Sequence, residues 1–280
     1  MARVSASDGE KSRTSSSLED CTAEKKSLSV LFLIDASQSL ANEDPDSYRS
    51  AGIEIAVEAL ARQLDAQLSS GQKFEVYLDF LLFGTSTRRA FPDVWPEWSP
   101  LDSKGLPEGL RTSIRDLSKE KNDADTDYLS ALDPWWGRIP PEGDDRIGAL
   151  ELLKRAPQGS CRLLIWFTDG RFDFDPPIAG QAPKTLTWTD LTIATEDDAE
   201  ALRKEGEQEI CSPQGPIDAL RGEDISTGSG AEIAVVALGD RSRFKFFDRL
   251  IKNVNGDCGT KKKRGQVLTA GVDELAFQLR

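Results

Sequence analysis

Short, almost continuous apolar runs recur along the chain and are separated by longer stretches in which apolar and polar residues mix. The runs at 28–34 and 162–168 are typical of strands that are buried on both faces of a sheet. The same pattern predicts six strands in all, at 28–34, 74–83, 88–94, 162–168, 232–238 and 266–269. The sequence therefore contains the strands of one substantial sheet.

Between these runs, apolar residues follow a helical spacing. Ile53, Val57, Leu60, Leu64 and Leu68 lie on one face of a predicted helix at 48–68. Further helices are predicted at 101–117, 147–153, 197–208, 216–221, 244–254 and 272–279. Because strands alternate with helices, we expect an α/β fold, a doubly wound and mainly parallel sheet with helices on both faces.

The polar segments define the predicted domain organisation. Residues 1–26 are rich in Ser, Glu and Lys and predict a disordered tail without a secretory leader. Residues 27–280 form one predicted domain with insertions at about 134–145 and 171–215. No apolar stretch approaches the roughly 18–20 residues of a membrane span.

The amino-acid composition excludes several kinds of catalytic and metal site. The 280 residues include no histidine, which excludes a Ser-His-Asp triad and a His-ligated zinc or haem site. A metal must therefore be held by oxygen atoms or by the four cysteines. The net charge of −13 disfavours binding to nucleic acid or to an anionic membrane. The one basic run, 261–264, is interpreted as a solvated loop.

Hard oxygen ligands occur where predicted strands end. Asp35, Ser37 and Ser39 follow the strand at 28–34, Thr126 precedes a helix, and Asp169 follows the strand at 162–168. Ligands of open α/β sheets bind at the carboxyl ends of the strands. Each residue alone is equally typical of a helix cap or a turn. Their combination in this order favours a metal site.

Other acidic residues lie beside these candidates, and we interpret them first as loop and first-turn residues stabilised by helix dipoles. For Asp123, Asp125 and Asp127, the alternative interpretation is a second cation site. These neighbours are Asp123, Asp125, Asp127, Asp173 and Asp175.

The Asp-x-Ser-x-Ser loop, the threonine and the later aspartate resemble the metal-ion-dependent adhesion site of the von Willebrand factor type A domain. The resemblance covers about residues 28–280 and is weakest across 171–215. It implies a Rossmann-like fold and a complete ligand set, which consists of Asp35, Ser37, Ser39, Thr126 and Asp169. Ala36 and Gln38 occupy the variable positions of the loop, where glycine is frequent at the second. Neither residue is a ligand.

The resemblance implies a binding and adhesion module rather than an enzyme. Mg²⁺, or Mn²⁺ or Ca²⁺ in its place, would coordinate the hydroxyls directly and the carboxylates largely through water. A Glu or Asp carboxylate of a protein partner would fill the open position. One alternative is an intracellular adaptor that works with an AAA-type ATPase in metal insertion or complex remodelling. A metal-dependent hydrolase is a weaker alternative, because it needs a general base near the ion.

The cysteines bear on the compartment. In the type A topology the strands beside Cys21 and Cys161 are parallel neighbours, which implies a Cys21–Cys161 disulfide, and we predict Cys211–Cys258 as the second. Two disulfides favour an oxidising compartment, whereas four free thiols would indicate a cytoplasmic protein. The motifs at 126–128, 166–170 and 258–259 look like those of secreted or surface type A proteins of high-GC Gram-positive bacteria.

Trp135 and Trp136 lie in the smaller predicted insertion, close to the helix that follows Thr126. Buried tryptophan is the ordinary structural interpretation. Paired exposed tryptophans near the site would instead be candidate contacts for a partner protein.

Overall fold

The fold is known from a computed structural model. It describes residues 18–37, 40, 44, 48–84, 87–117, 126–134, 147–170, 204–213, 215–222, 230–238, 244–252 and 266–269. The strands are β1 (Ser27–Asp35), β2 (Glu75–Phe83), β3 (Thr87–Arg89), β4 (Ser99–Pro100), β5 (Cys161–Thr168), β6 (Glu232–Ala237) and β7 (Gln266–Thr269). The helices are α1 (Leu18–Lys25), α2 (Tyr48–Ser69), α3 (Glu108–Asp116), α4 (Tyr128–Leu132), α5 (Ala149–Arg155), α6 (Pro216–Arg221) and α7 (Lys245–Lys252). Residues 204–210 are also helical.

The strands form one sheet in the order β3-β2-β1-β5-β6-β7, and β4 pairs with β2. Four neighbouring pairs are parallel: β2 with β1, β1 with β5, β5 with β6, and β6 with β7. Strands β3 and β4 are antiparallel to β2. The predicted α/β class, doubly wound and mainly parallel, is confirmed. The order reverses between β1 and β5, and the crevice at such a switch point is where ligands bind in folds of this kind.

Both faces of the sheet are covered by apolar side chains, as expected for parallel strands. Along β1, Leu31 and Leu33 contribute to the core under α4 to α7, while Phe32 contributes to the core under α2 and α3. Helix α2 approaches β5 closely at Gly52, where a Cβ atom would lie 2.9 Å from Phe167 Cε1. A side chain at Gly52 would therefore displace the Phe167 ring or the helix.

The start of the described chain corrects one prediction, since residues 18–25 form α1 inside the predicted disordered tail 1–26. A disulfide joins Cys21 of α1 to Cys161 at the start of β5, with a Cα–Cα distance of 6.0 Å. The Leu18 amide also donates to Glu232 Oε2 over 3.2 Å. The helix is held by bonds to distant residues, which explains why the local composition does not indicate it.

Several predicted boundaries differ from the observed elements. The strand predicted at 88–94 is only three residues long because a turn begins near Phe91, whose carbonyl accepts from the Trp95 amide. The helix predicted at 101–117 begins at Glu108, after Pro107. The helices predicted at 147–153 and 244–254 are observed as α5 and α7. The predicted helix 272–279 lies outside the described residues. Within the described part of the chain, no helix is long and apolar enough to span a membrane.

Candidate metal centre

The first candidate loop begins at the last residue of β1. Asp35 and Ser37 are buried, and the Ser37 amide donates to Asp35 Oδ1 over 2.9 Å. The Ala36 amide donates to the carbonyl of Phe83 at the end of β2, over 2.7 Å. Arg49 of α2 donates from Nη1 to the backbone carbonyl of Asp35, over 2.7 Å. The loop is thus tied to β2 and to α2, and its carboxylate is held at the switch point.

The second candidate segment lies beside the end of β2. The Asp127 amide donates to the carbonyl of Gly84 over 3.1 Å, one residue beyond the carbonyl that holds the first loop. Thr126 is buried. Asp127 is the N-cap of α4, and its carboxylate accepts from the Ser130 amide over 3.0 Å and from the Ser130 hydroxyl over 2.6 Å. These bonds agree with the interpretation of Asp127 as a first-turn acid.

The third candidate, Asp169, follows β5 directly and is buried. Gly170 turns the chain with φ +78°, and a Cβ atom there would lie 3.1 Å from the Phe244 ring. Only glycine meets both conditions without strain. The adjacent Thr168 hydroxyl donates to Asp35 Oδ2 over 2.8 Å. Thr168 is not among the site residues predicted from the sequence, although its position next to Asp169 at a strand end is a usable signal.

The electrostatics of the centre are unfavourable in the absence of a cation. Burial, followed by repulsion from Asp169, raises the pKa of Asp35 from 3.8 to about 7, against the opposing effect of the hydrogen bonds from Ser37 and Thr168. A divalent cation would relieve both causes. Two carboxylates and the hydroxyls of Ser37 and Thr126 are hard oxygen donors, and they fit Mg²⁺ or a similar ion.

The described residues contain part of the predicted set. The structure brings Asp35 and Asp169 close together and places Ser37 and Thr126 on the two loops beside them. In the described ranges, no group of three or more His, Cys, Asp or Glu residues could hold a metal, and a cation here would also need the hydroxyls. Several predicted residues lie outside the described part: Ser39, Asp123, Asp125, Trp135, Trp136, Asp173 and Asp175. Cys211 is disulfide-bonded, and Cys258 lies outside the described residues.

Comparison with known proteins gives matches to solved structures only. No family model and no curated protein matches the chain. A von Willebrand factor type A protein from Catenulispora acidiphila is 12% identical, with a TM-score of 0.41, over 90% of this chain and 41% of that one. The PilB minor pilin from Streptococcus sanguinis is 11% identical, with a TM-score of 0.47, over 97% of this chain and 61% of that one.

A third match is proximal thread matrix protein 1 from the mussel byssus, whose structure has a zinc-occupied MIDAS motif. It is 13% identical, with a TM-score of 0.41, over 90% of this chain and 46% of that one. This chain therefore spans less than two thirds of each of these three proteins. All three TM-scores lie below 0.5, so the fold class is assigned from the strand order and pairing.

Proposed function

We propose that the chain is a metal-dependent binding and adhesion module. In this proposal a divalent cation, preferably Mg²⁺, is held by Asp35, Ser37, Thr126 and Asp169. Ser39, which lies outside the described residues, is the fifth proposed ligand. The observation that carries this proposal is the pair of buried aspartates at the switch point. Burying two like charges together costs free energy, and a bound cation would offset that cost.

The donor set also indicates what the cation binds. The two carboxylates act largely through bound water, and the direct donors are neutral hydroxyls. An ion with few anionic ligands stays electrophilic, and Mg²⁺ accepts six oxygen donors. We therefore propose that a Glu or Asp carboxylate of a protein partner occupies a remaining position. The partner contacts proposed for Trp135 and Trp136 belong to the same hypothesis.

The surroundings of the centre argue for binding rather than hydrolysis. A hydrolase needs a general base beside the ion, and Asp127 is the nearest described candidate along the chain. Its two carboxylate oxygens accept from the Ser130 amide and hydroxyl, which commits it to capping α4. The disulfides at Cys21, Cys161 and Cys211 support a proposed location in an oxidising compartment, at the cell surface or secreted.

Titration calorimetry with Mn²⁺ and Mg²⁺ tests the centre. We expect one site in the native protein and a loss of affinity of at least about 100-fold in Asp169→Asn, because a charged ligand becomes neutral. The matched control is Asp102→Asn, which alters an exposed turn whose carboxylate accepts from the Lys104 amide. Equal affinity in the native protein and Asp169→Asn would contradict the assignment.

The carboxylate-binding step needs its own experiment. With Mn²⁺ bound, we expect the proton resonances of added acetate to broaden much more than those of acetamide, because only acetate carries the anionic oxygen that the ion binds. The same measurement in Asp169→Asn provides the background. Equal broadening of acetate and acetamide would show that the ion does not select a carboxylate.

A further inference from the structure

A chain of buried hydroxyl groups leads from α4 to the carboxylate of Asp35. The Tyr128 hydroxyl and Thr168 Oγ1 are 2.7 Å apart, and Thr168 Oγ1 donates to Asp35 Oδ2 over 2.8 Å. All three side chains are fully buried. None of these bonds is part of the ligand set described above.

The donor and the acceptor in each of these hydrogen bonds follow from the number of protons that each group carries. A threonine hydroxyl has one proton, and Thr168 uses it on Asp35. When Asp35 is ionised, as it is with a cation bound, the Tyr128 hydroxyl is therefore the donor in its bond with Thr168. The Gly170 amide also donates to Thr168 Oγ1, over 3.2 Å. Thr168 thus makes one donated and two accepted hydrogen bonds, which leaves its hydroxyl one orientation.

The tyrosine end of the chain is fixed by packing. The Tyr128 ring packs edge to face against Trp166, with centroids 5.1 Å apart, and against Phe247, with centroids 5.5 Å apart. Phe83 contacts it from β2 with a centroid distance of 5.8 Å. A ring held on three sides presents its hydroxyl at a defined point, 2.7 Å from Thr168 Oγ1.

We propose that Tyr128 and Thr168 are positioning residues that set the orientation of the Asp35 carboxylate for the cation. The inference rests on the metal centre proposed above. Asp35 Oδ1 accepts from the Ser37 amide and Oδ2 accepts from Thr168, and the Ser37 hydroxyl is a further donor to this carboxylate. Hydrogen bonds on both oxygens therefore fix the carboxylate plane. Hydrogen-bonded carboxylate ligands of this kind typically govern metal affinity through their outer partners.

The test compares Mn²⁺ dissociation constants, measured by calorimetry, for four variants. Thr168→Val removes the hydroxyl and should weaken binding about 10- to 100-fold. Thr168→Ser keeps the hydroxyl and should restore most of the affinity. Tyr128→Phe should weaken Mn²⁺ binding about threefold to tenfold, since it removes one neutral hydrogen bond that affects Asp35 only through Thr168. The double variant Tyr128→Phe/Thr168→Val should match Thr168→Val alone, because Tyr128 acts only through Thr168.

A matched control lies at the other end of the same two strands. Ser29 of β1 and Ser160 before β5 have hydroxyls 2.7 Å apart, also buried. Ser29→Ala removes a comparable hydrogen bond and should leave Mn²⁺ affinity unchanged. If Ser29→Ala weakens binding as much as Thr168→Val, the effect is one of general stability and the inference is overturned.

Two further results would overturn the inference while leaving the metal centre intact. One is native affinity in Thr168→Val together with lost affinity in Asp169→Asn. The other is an additive loss in the double variant, which would show that Tyr128 acts by another route. If the native protein binds no Mn²⁺, the metal centre itself is wrong. If Thr168→Val does not fold, Thr168→Ser and Tyr128→Phe still test whether the two hydroxyl groups influence Mn²⁺ affinity.

Discussion

Two buried aspartates on neighbouring strands have opposite surroundings. Asp79 lies in β2 beside Leu31 of β1, and its Oδ1 accepts from Arg89 Nη2 over 3.0 Å. Asp35, four residues further along β1, is near another carboxylate, that of Asp169. Both side chains are almost fully buried. The two sites thus share burial and differ in the sign of the nearest charge.

The pKa directions separate these causes. Burial raises the pKa of both carboxyls, but Arg89 lowers that of Asp79 in part, whereas Asp169 raises that of Asp35 further. The nearby guanidinium of Arg49 donates to the backbone carbonyl of Asp35. At Asp79 the protein supplies its own cation. At Asp35 its arrangement is suited to a cation from outside, which is how a structural ion pair differs from a binding site.

The largest expected effect is a dependence of stability on pH that comes from Asp35. Its pKa is about 7 in the folded protein and 3.8 as an ordinary carboxyl, so the folded state binds more protons between these values. Stability from this group is present at low pH and is lost as pH rises through 7. The loss should be about 3 kcal/mol between pH 4.5 and 8.

Urea unfolding of the metal-free protein across this range, compared with Asp35→Asn, isolates the effect. The variant removes the contribution of Asp35 and leaves that of Asp79, so the difference between the two curves reports Asp35 together with its interaction with Asp169. Excess Mg²⁺ should flatten the native curve by favouring the ionised form. Parallel curves for the native protein and the variant would show that the pKa of Asp35 is not raised in the folded protein.

A smaller effect is expected from the internal ion pair. Arg89→Met should lower the free energy of unfolding by about 2 kcal/mol, less than for a fully buried pair, because the Arg89 side chain is 21% exposed. Mn²⁺ affinity should not change. Arg88→Met, at the exposed neighbouring position, is the control. A change in Mn²⁺ affinity in Arg89→Met alone would mean that the two regions are coupled.

The sequence predicts the parts of the fold in which local pattern and final environment agree. β1, β5 and β6 are continuous apolar runs, and they are buried in the structure as the pattern requires. β4 has only two residues, Ser99 and Pro100, and it exists because β2 provides a partner. Helix α1 depends on a disulfide to a residue 140 positions away. Such long-range causes leave no periodic signal in the local sequence.

The centre shows the same division. Asp35, Ser37, Thr126 and Asp169 are selected from the sequence because each has a recognisable residue type at a strand or helix end, and their order resembles a known motif. Their role as ligands stays a prediction. Thr168 and Tyr128 were missed because, in sequence, each reads as an ordinary strand end or helix start. Their hydroxyls meet only after β1, β5 and α4 have packed together. Hydrogen-bond partners of candidate ligands are therefore harder to select from a sequence than the candidates themselves.

The smallest effect has the opposite sign and tests the comparison most directly. In the presence of a chelator, Asp169→Asn should raise the free energy of unfolding by about 1 kcal/mol, because it removes the repulsion of Asp35. Excess Mg²⁺ should invert the order, since only the native protein gains binding energy. Calorimetric unfolding with chelator and then with Mg²⁺ measures both. A variant that is less stable in both conditions would show that Asp169 supports the fold itself, as Arg89 does, rather than being held for an ion.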